Sequence, residues 1–297
     1  MKKALIIIVI LGVSVGIFLN RGRFAGLIDD ARKPDLPEAV DYSDVVARGS
    51  NDPRSNLNDA LDEAPAMSGN QRDDTIAASP PEAAPRNDNE GVPSSYNLAV
   101  PFQSQAPRAN WELPYQEACE EASLIMASAF FRGLGLTADQ MDAEIKKLVD
   151  WQVRTFGYYE DTTANEVARM ADEYFGLSTM VTSDITVENI KRQIAGNKLV
   201  IVPAAGKILP NPNFSNGGPI YHMLVIRGYT DTHFITNDPG TKRGEAFLYA
   251  YDVLIDAIHD WPSYALSVAE AMDGKPTEED MLTGRKVMIV LDKQLNS

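Results

Sequence analysis

The composition of this chain changes at Tyr96, and that change decides where a fold can form. From about Asp29 to Ser95 the sequence is rich in Asp, Asn, Pro, Ala and Ser, with "ASPPEAAPRNDNEG" as its clearest piece, and large apolar residues are sparse. Such a segment cannot bury enough apolar surface to offset the entropy of ordering it. Behind it lie about 200 residues, enough for one domain with a real core. The expected organisation is residues 1–24 as a signal anchor or signal peptide, 25–95 as a disordered acidic linker, and 96–297 as the folded domain.

The N-terminus supports the first of these assignments. Lys2 and Lys3 precede an apolar run from Ala4 to Leu19, and Arg21 and Arg23 follow it. Basic residues ahead of an apolar core mark a secretory signal or an uncleaved anchor. The run is a few residues short of the roughly 20 that span a bilayer, though Lys2, Lys3 and Arg21 can reach the interfaces. No small-x-small cleavage site follows it, so an anchor is the favoured reading. The expected location is the cell membrane, with a single pass and an extracytoplasmic C-terminal domain; cleavage would make the protein secreted.

A net charge of −15 argues against nucleic acid as a partner, because phosphate binding needs clustered Lys and Arg. One cysteine excludes a disulfide framework and a multi-cysteine zinc site, and a count of three histidines argues against a histidine metal site. No metal or organic cofactor is expected.

Within the domain, helices come first. "CEEASLIMASAFFRGLG" is almost continuously apolar until its glycines and predicts a buried helix. Thr137 with Gln140, and Thr163 with Glu166, predict capping boxes ahead of two further helices, and "TVENIKRQIAG" predicts a short amphipathic one. Strands follow: "KLVIVPAA", "YHMLVIRGY", "HFITNDPG", "AFLYAY" and, after a helix at "DVLIDAIHDW", a late "KVMIVLD". Helices followed by strands, without βαβ alternation, predict an α+β fold with an antiparallel sheet. The loop "KILPNPNFSNGGP", Lys207 to Pro219, ends just before His222, where a loop shaping a site would sit.

Cys119 is the single thiol and stands at a helix start, where unsatisfied N–H groups and the helix dipole favour thiolate. Glu120 and Glu121 follow directly and oppose that effect, so activation needs an imidazolium partner. His222 opens an apolar strand after the glycine-rich loop, which sets its ring at a sheet edge. If "YHMLVIRGY" and "HFITN" form an antiparallel hairpin around "TDT", Asp238 lies roughly across from His222, able to hold the imidazole by its other nitrogen. "NDPG" is equally a plain turn sequence. Trp111 and Tyr115 line a substrate groove or pack their loop onto the domain. His233 is expected in solvent, and His259, near a helix end, in a structural role.

In this order, "VPFQSQAP", "PYQEACEEAS", "YHMLVIRGY" and "FITNDPGT" resemble the bacteriocin-processing (double-glycine leader) cysteine peptidases, in their stand-alone, extracytoplasmic branch. The resemblance covers about Asn97 to Trp261. It implies a papain-like fold, with the nucleophile helix against an antiparallel sheet. It also implies Cys119 as nucleophile, His222 as general base and Asp238 as orienting carboxylate. For the oxyanion-hole glutamine of that family, Gln105 matches better than Gln116, with the Cys119 N–H as second donor. Many relatives carry glycine where Glu120 stands. The exporter domains to which leader peptidases are fused are absent from this sequence, so leader processing does not carry over with the fold.

The expected function is a membrane-tethered thiol hydrolase that cleaves a peptide or amide bond. Its partner would be a peptide or protein substrate, or cell-wall peptide if it is an amidase. The alternative is a catalytically silent papain-like domain that binds peptide or cell wall.

Overall fold

A computed structural model describes residues 35–49, 91–262 and 276–294. The chain divides into two units, Met1–Pro37 and Glu38–Ser297, and every element of the fold belongs to the second. The apolar run at Ala4–Leu19 and most of the expected linker lie outside the described residues. Among the described residues, no helix is long and apolar enough to cross a membrane.

The helices are α1 (Tyr42–Gly49), α2 (Cys119–Phe131), α3 (Ala138–Thr155), α4 (Ala164–Glu173), α5 (Val187–Ala195), α6 (Tyr251–Ala257) and α7 (Glu278–Met281). The strands are β1 (Tyr96–Asn97), β2 (Leu177–Thr182), β3 (Leu199–Ala205), β4 (Tyr221–Tyr229), β5 (His233–Asn237), β6 (Phe247–Ala250) and β7 (Met288–Lys293). They form one antiparallel sheet in the order β2-β7-β3-β4-β5-β6, with β1 paired to the far end of β4. The α+β class and the succession of helices and then sheet are as the sequence predicts.

Burial explains the centre of this arrangement. Every residue of β3 and β4 is buried, as the continuous apolar runs require of interior strands. Every residue of α2 is buried too, including Glu120 and Glu121. A helix apolar all round can only be stable inside the protein, and α2 packs on β4. Both predicted capping boxes form, at Thr137–Gln140 and Thr163–Glu166, and they fix where α3 and α4 begin.

Three features depart from the sequence reading. Residues 38–49 fall in the expected linker but are folded: Val40 bridges to Leu98, and the Tyr42 ring meets Phe130 and Phe131 edge-on. Val40, Tyr42 and Val45 supply a short apolar face that packs on the core. Strand β2 has no counterpart among the predicted strands; it closes the sheet beside β7. His222 does not stand at a sheet edge, because β4 lies between β3 and β5 and its second residue is inside.

The hairpin of β4 and β5 carries an irregularity between Ile226 and Gly228. Beyond it, Tyr229 pairs with Phe234 and Gly228 with Ile235; before it, Ile226 pairs with Thr236 and Val225 with Asn237. Side chains alternate faces along a strand, so this one-residue shift decides which face the next residue shares. Carried one residue further, the shifted register sets Asp238 against Leu224, on the same face as His222. The unshifted register would set it against Val225, on the opposite face.

Candidate active site

His222 and Asp238 meet as that register requires. The imidazole Nε2 lies 2.8 Å from Asp238 Oδ1, and both side chains are sealed from solvent, at 1% and 0% exposure. With Nε2 engaged, Nδ1 is the nitrogen left for another partner. Asp238 Oδ1 also accepts from the Gly240 N–H at 3.0 Å. Its Oδ2 accepts from the Tyr249 hydroxyl at 2.7 Å and from the Asn211 amide at 3.1 Å. Burial would raise this carboxyl, but His222, Tyr249 and the Gly240 N–H outweigh it and hold Asp238 below its ordinary range.

Two further features fix the ring. Phe214 meets the imidazole edge-on, with centroids 5.4 Å apart. A Cβ at position 240 would come within 2.8 Å of His222 Cε1, so only glycine lets the turn approach the ring this closely. Asn211 and Phe214 both belong to the Lys207–Pro219 loop, which is thus built into the site. Sequence reasoning singles out neither residue, nor Tyr249. The expected position of the loop is the only signal that points to it.

Cys119 begins α2 and is 6% exposed. One turn along, the Ser123 hydroxyl donates to the carbonyl of Met223, the residue after His222, at 3.4 Å. The thiol end of α2 is therefore aligned with the start of β4. The thiol itself donates to Glu120 Oε2 at 3.1 Å. Glu120 Oε1 accepts from the Thr162 N–H at 3.0 Å, and the Thr162 carbonyl accepts from the Tyr221 hydroxyl at 2.9 Å. Burial, then Glu120, push the Cys119 thiol well above its ordinary value. This opposes the helix-start effect, as the two adjacent glutamates suggest from sequence.

Gln105 is buried, and its backbone N–H donates to the Pro239 carbonyl at 3.0 Å, tying this segment to the turn after Asp238. Its side-chain Nε2 donates to the carbonyls of Tyr115 and Gln116, at 3.0 and 3.1 Å, just ahead of α2. Its Oε1 is buried without a partner. Gln116 instead points its side chain outward, to Glu117. Of the two glutamines weighed for the oxyanion role, Gln105 is the one inside.

The remaining candidates lie apart from the pair. Tyr115 is buried and bonded to Asp142 on α3, so it packs its loop, whereas Trp111 is exposed. His233 is half-buried at the start of β5 and bonded to Thr232. His259 is buried, bonded to the Ala257 carbonyl, and lowered by that burial. Among the described residues, no cluster of His, Cys, Asp and Glu has the geometry to hold a metal ion.

A model of the Peptidase_C39 like family matches residues 97–265. The chain belongs to that family. The match coincides with the span over which the sequence resembles the leader-processing cysteine peptidases, and the papain-like fold class follows from it. Among solved structures, one described as a C39-like peptidase from Bacillus anthracis is similar at 15% identity and a TM-score of 0.42, covering 67% of this chain and 96% of that one. No curated protein matches the chain.

Proposed function

We propose that this protein is a thiol hydrolase that cleaves a peptide or amide bond, held at the membrane by its N-terminal segment with the domain outside the cytoplasm. The observation that carries the reading is the buried His222–Asp238 pair, whose histidine stands on the strand against which the Cys119 helix packs. Membership of a peptidase family supports the same chemistry and a peptide or protein substrate.

In this reading His222 Nδ1 takes the proton of Cys119, and the sulfur attacks the substrate carbonyl. Asp238 on Nε2 fixes the tautomer and stabilises the imidazolium, which then returns the proton to the leaving amine. The negative oxygen is held by the Cys119 N–H, one of the unpaired donors of a helix start, and by the Gln105 amide. For the second role the Gln105 amide leaves the Tyr115 and Gln116 carbonyls it now holds.

The test is digestion of a peptide mixture by the full chain, with product termini read by mass spectrometry beside Cys119→Ala. New termini made only by the parent protein are expected. Absence of cleavage, or the same products from Cys119→Ala, would contradict the proposal. It would favour the second reading, a silent peptide- or cell-wall-binding module. The bond from the thiol to Glu120 is the observation on that side.

A further inference from the structure

The Glu120 carboxyl touches the sulfur atom but has no part in the proton transfer between Cys119 and His222. We propose that Glu120 acts as a neutral acid: it presents a protonated carboxyl to the Cys119 sulfur, and the thiolate–imidazolium pair with His222 exists only while Glu120 keeps that proton. The inference rests on the nucleophile role proposed for Cys119.

The geometry leaves little choice of partner. Glu120 is 1% exposed, with Oε2 at 3.1 Å from Sγ and Oε1 pinned by the Thr162 N–H. Thr162 is in turn held by Tyr221, the residue before His222. The carboxyl therefore cannot swing to solvent without breaking a chain of bonds that runs back to β4.

A thiolate beside an ionised carboxylate at this distance, away from water, is a pair of like charges with a large mutual repulsion. One proton on Glu120 turns that repulsion into a hydrogen bond from Oε2–H to the sulfur. Of the groups that face Glu120, Glu121 on its own helix and Asp161 in the loop ahead of α4 favour keeping the proton, while the Cys119 thiol and the Glu120 backbone N–H donate against it. Tyr221 on β4, raised by burial, Asp260 and Glu120, stays neutral. Burial, followed by Glu121 and Asp161, raises Glu120 well above the usual carboxylate range.

In the nucleophilic state Glu120 holds one proton on Oε2 and His222 holds the proton taken from the thiol. When Glu120 loses its proton to solvent, the new negative charge drives the His222 proton back to sulfur. The thiol then donates to Glu120 and the imidazole is neutral. Raising the pH thus removes the thiolate, the reverse of an isolated cysteine, whose thiolate only increases with pH.

The experiment follows the ultraviolet absorbance of the thiolate in the full chain from about pH 5 to 8, with Cys119→Ser as the baseline. In the parent protein the signal should be largest at the acid end and fall with rising pH. In Glu120→Gln, whose amide is a donor at every pH, it should stay level and exceed the parent at the alkaline end by about tenfold. A parent signal that only rises with pH overturns the inference, and this holds even if Glu120→Gln does not fold. So does a Glu120→Gln profile that superimposes on the parent. His222→Ala separates the two levels. If it removes the signal while Glu120→Gln changes nothing, only the role of Glu120 fails. If it leaves the signal unchanged, the base role of His222 fails and takes this inference with it.

Discussion

Two buried carboxyls stand at opposite ends of this site, and they differ in what surrounds them. Asp238 receives hydrogen bonds from His222, Tyr249, Asn211 and the Gly240 N–H. Glu120 receives one backbone N–H and a weak thiol donor, with the Thr162 hydroxyl at the limit of contact. Both are removed from water, yet Asp238 is held low and Glu120 is pushed high. Burial alone therefore does not set the charge of a carboxyl; the imidazole and donors around Asp238 and the neighbouring carboxylates around Glu120 decide it. In the function proposed above, one acid is the anion that orients the imidazole; in the further inference, the other holds a proton beside the thiolate sulfur.

Removing the better-supported carboxyl should have the largest effect. Asp238→Ala leaves the imidazole, a phenol and an amide facing a hole. Hydrolysis should fall by on the order of 10³–10⁴-fold, as when a triad carboxylate is lost. Stability should also drop in a denaturant titration, by at least about 1–3 kcal/mol, the cost of leaving a buried donor unsatisfied. Retention of activity would place the orienting role elsewhere.

Gly240→Ala tests the position of the ring without removing a polar group. The added carbon meets His222 Cε1 at 2.8 Å, so the ring must shift. Activity should fall by on the order of 10²-fold, the effect of a misplacement of about 1 Å. An unchanged rate would mean that the ring is free to move.

Tyr249→Phe removes one donor from Asp238 and should cost about 1.5–3 kcal/mol, the range for a hydrogen bond to a charged group. It also sharpens the contrast through pH. A carboxyl with a depressed folded value contributes stability above its unfolded range and loses it as pH falls through the folded value. With fewer donors that folded value rises, so acid unfolding of the variant should begin at a higher pH than in the parent.

The smallest effect is expected at Glu121, bonded to Gln152 and raised by burial to about 7. A raised carboxyl works in the other direction. Its protonated form favours the fold, so stability is lost as pH rises from the ordinary carboxylate value towards the folded one. Thermal unfolding from about pH 4.5 to 7 should show that decline in the parent and a flatter course in Glu121→Gln. Parallel curves would place Glu121 in a more polar setting than its burial implies.

Much of the fold and the site is legible in the sequence because the residues concerned sit at the ends of strongly patterned elements. Cys119 begins a helix whose body is largely apolar, and His222 is the second residue of a largely apolar strand. The short turn between β4 and β5 predicts their hairpin. What sequence cannot supply is the register. The irregularity near Arg227 decides whether Asp238 faces the imidazole, and no local pattern announces it. Asn211 and Tyr249 escape sequence reasoning for a related reason. They reach Asp238 across 27 and 11 positions of sequence, from a proline-rich loop and a short strand whose polar atoms carry no periodic signal. Strand β2 escapes because its apolar residues do not follow its alternating burial: Thr179 lies on the covered side and Met180 on the exposed one. Helix α1 is hidden by averaging, its few apolar residues lost among acidic neighbours.

The central claim is that His222, held by Asp238, activates Cys119. The most direct measurement is the rate of Cys119 alkylation by iodoacetamide as a function of pH, in the full chain and in His222→Ala. A rate that stays high well below the free-thiol value of about 8.5, and collapses in the variant, is the predicted result. A rate that titrates like a free cysteine and is indifferent to His222 would contradict it.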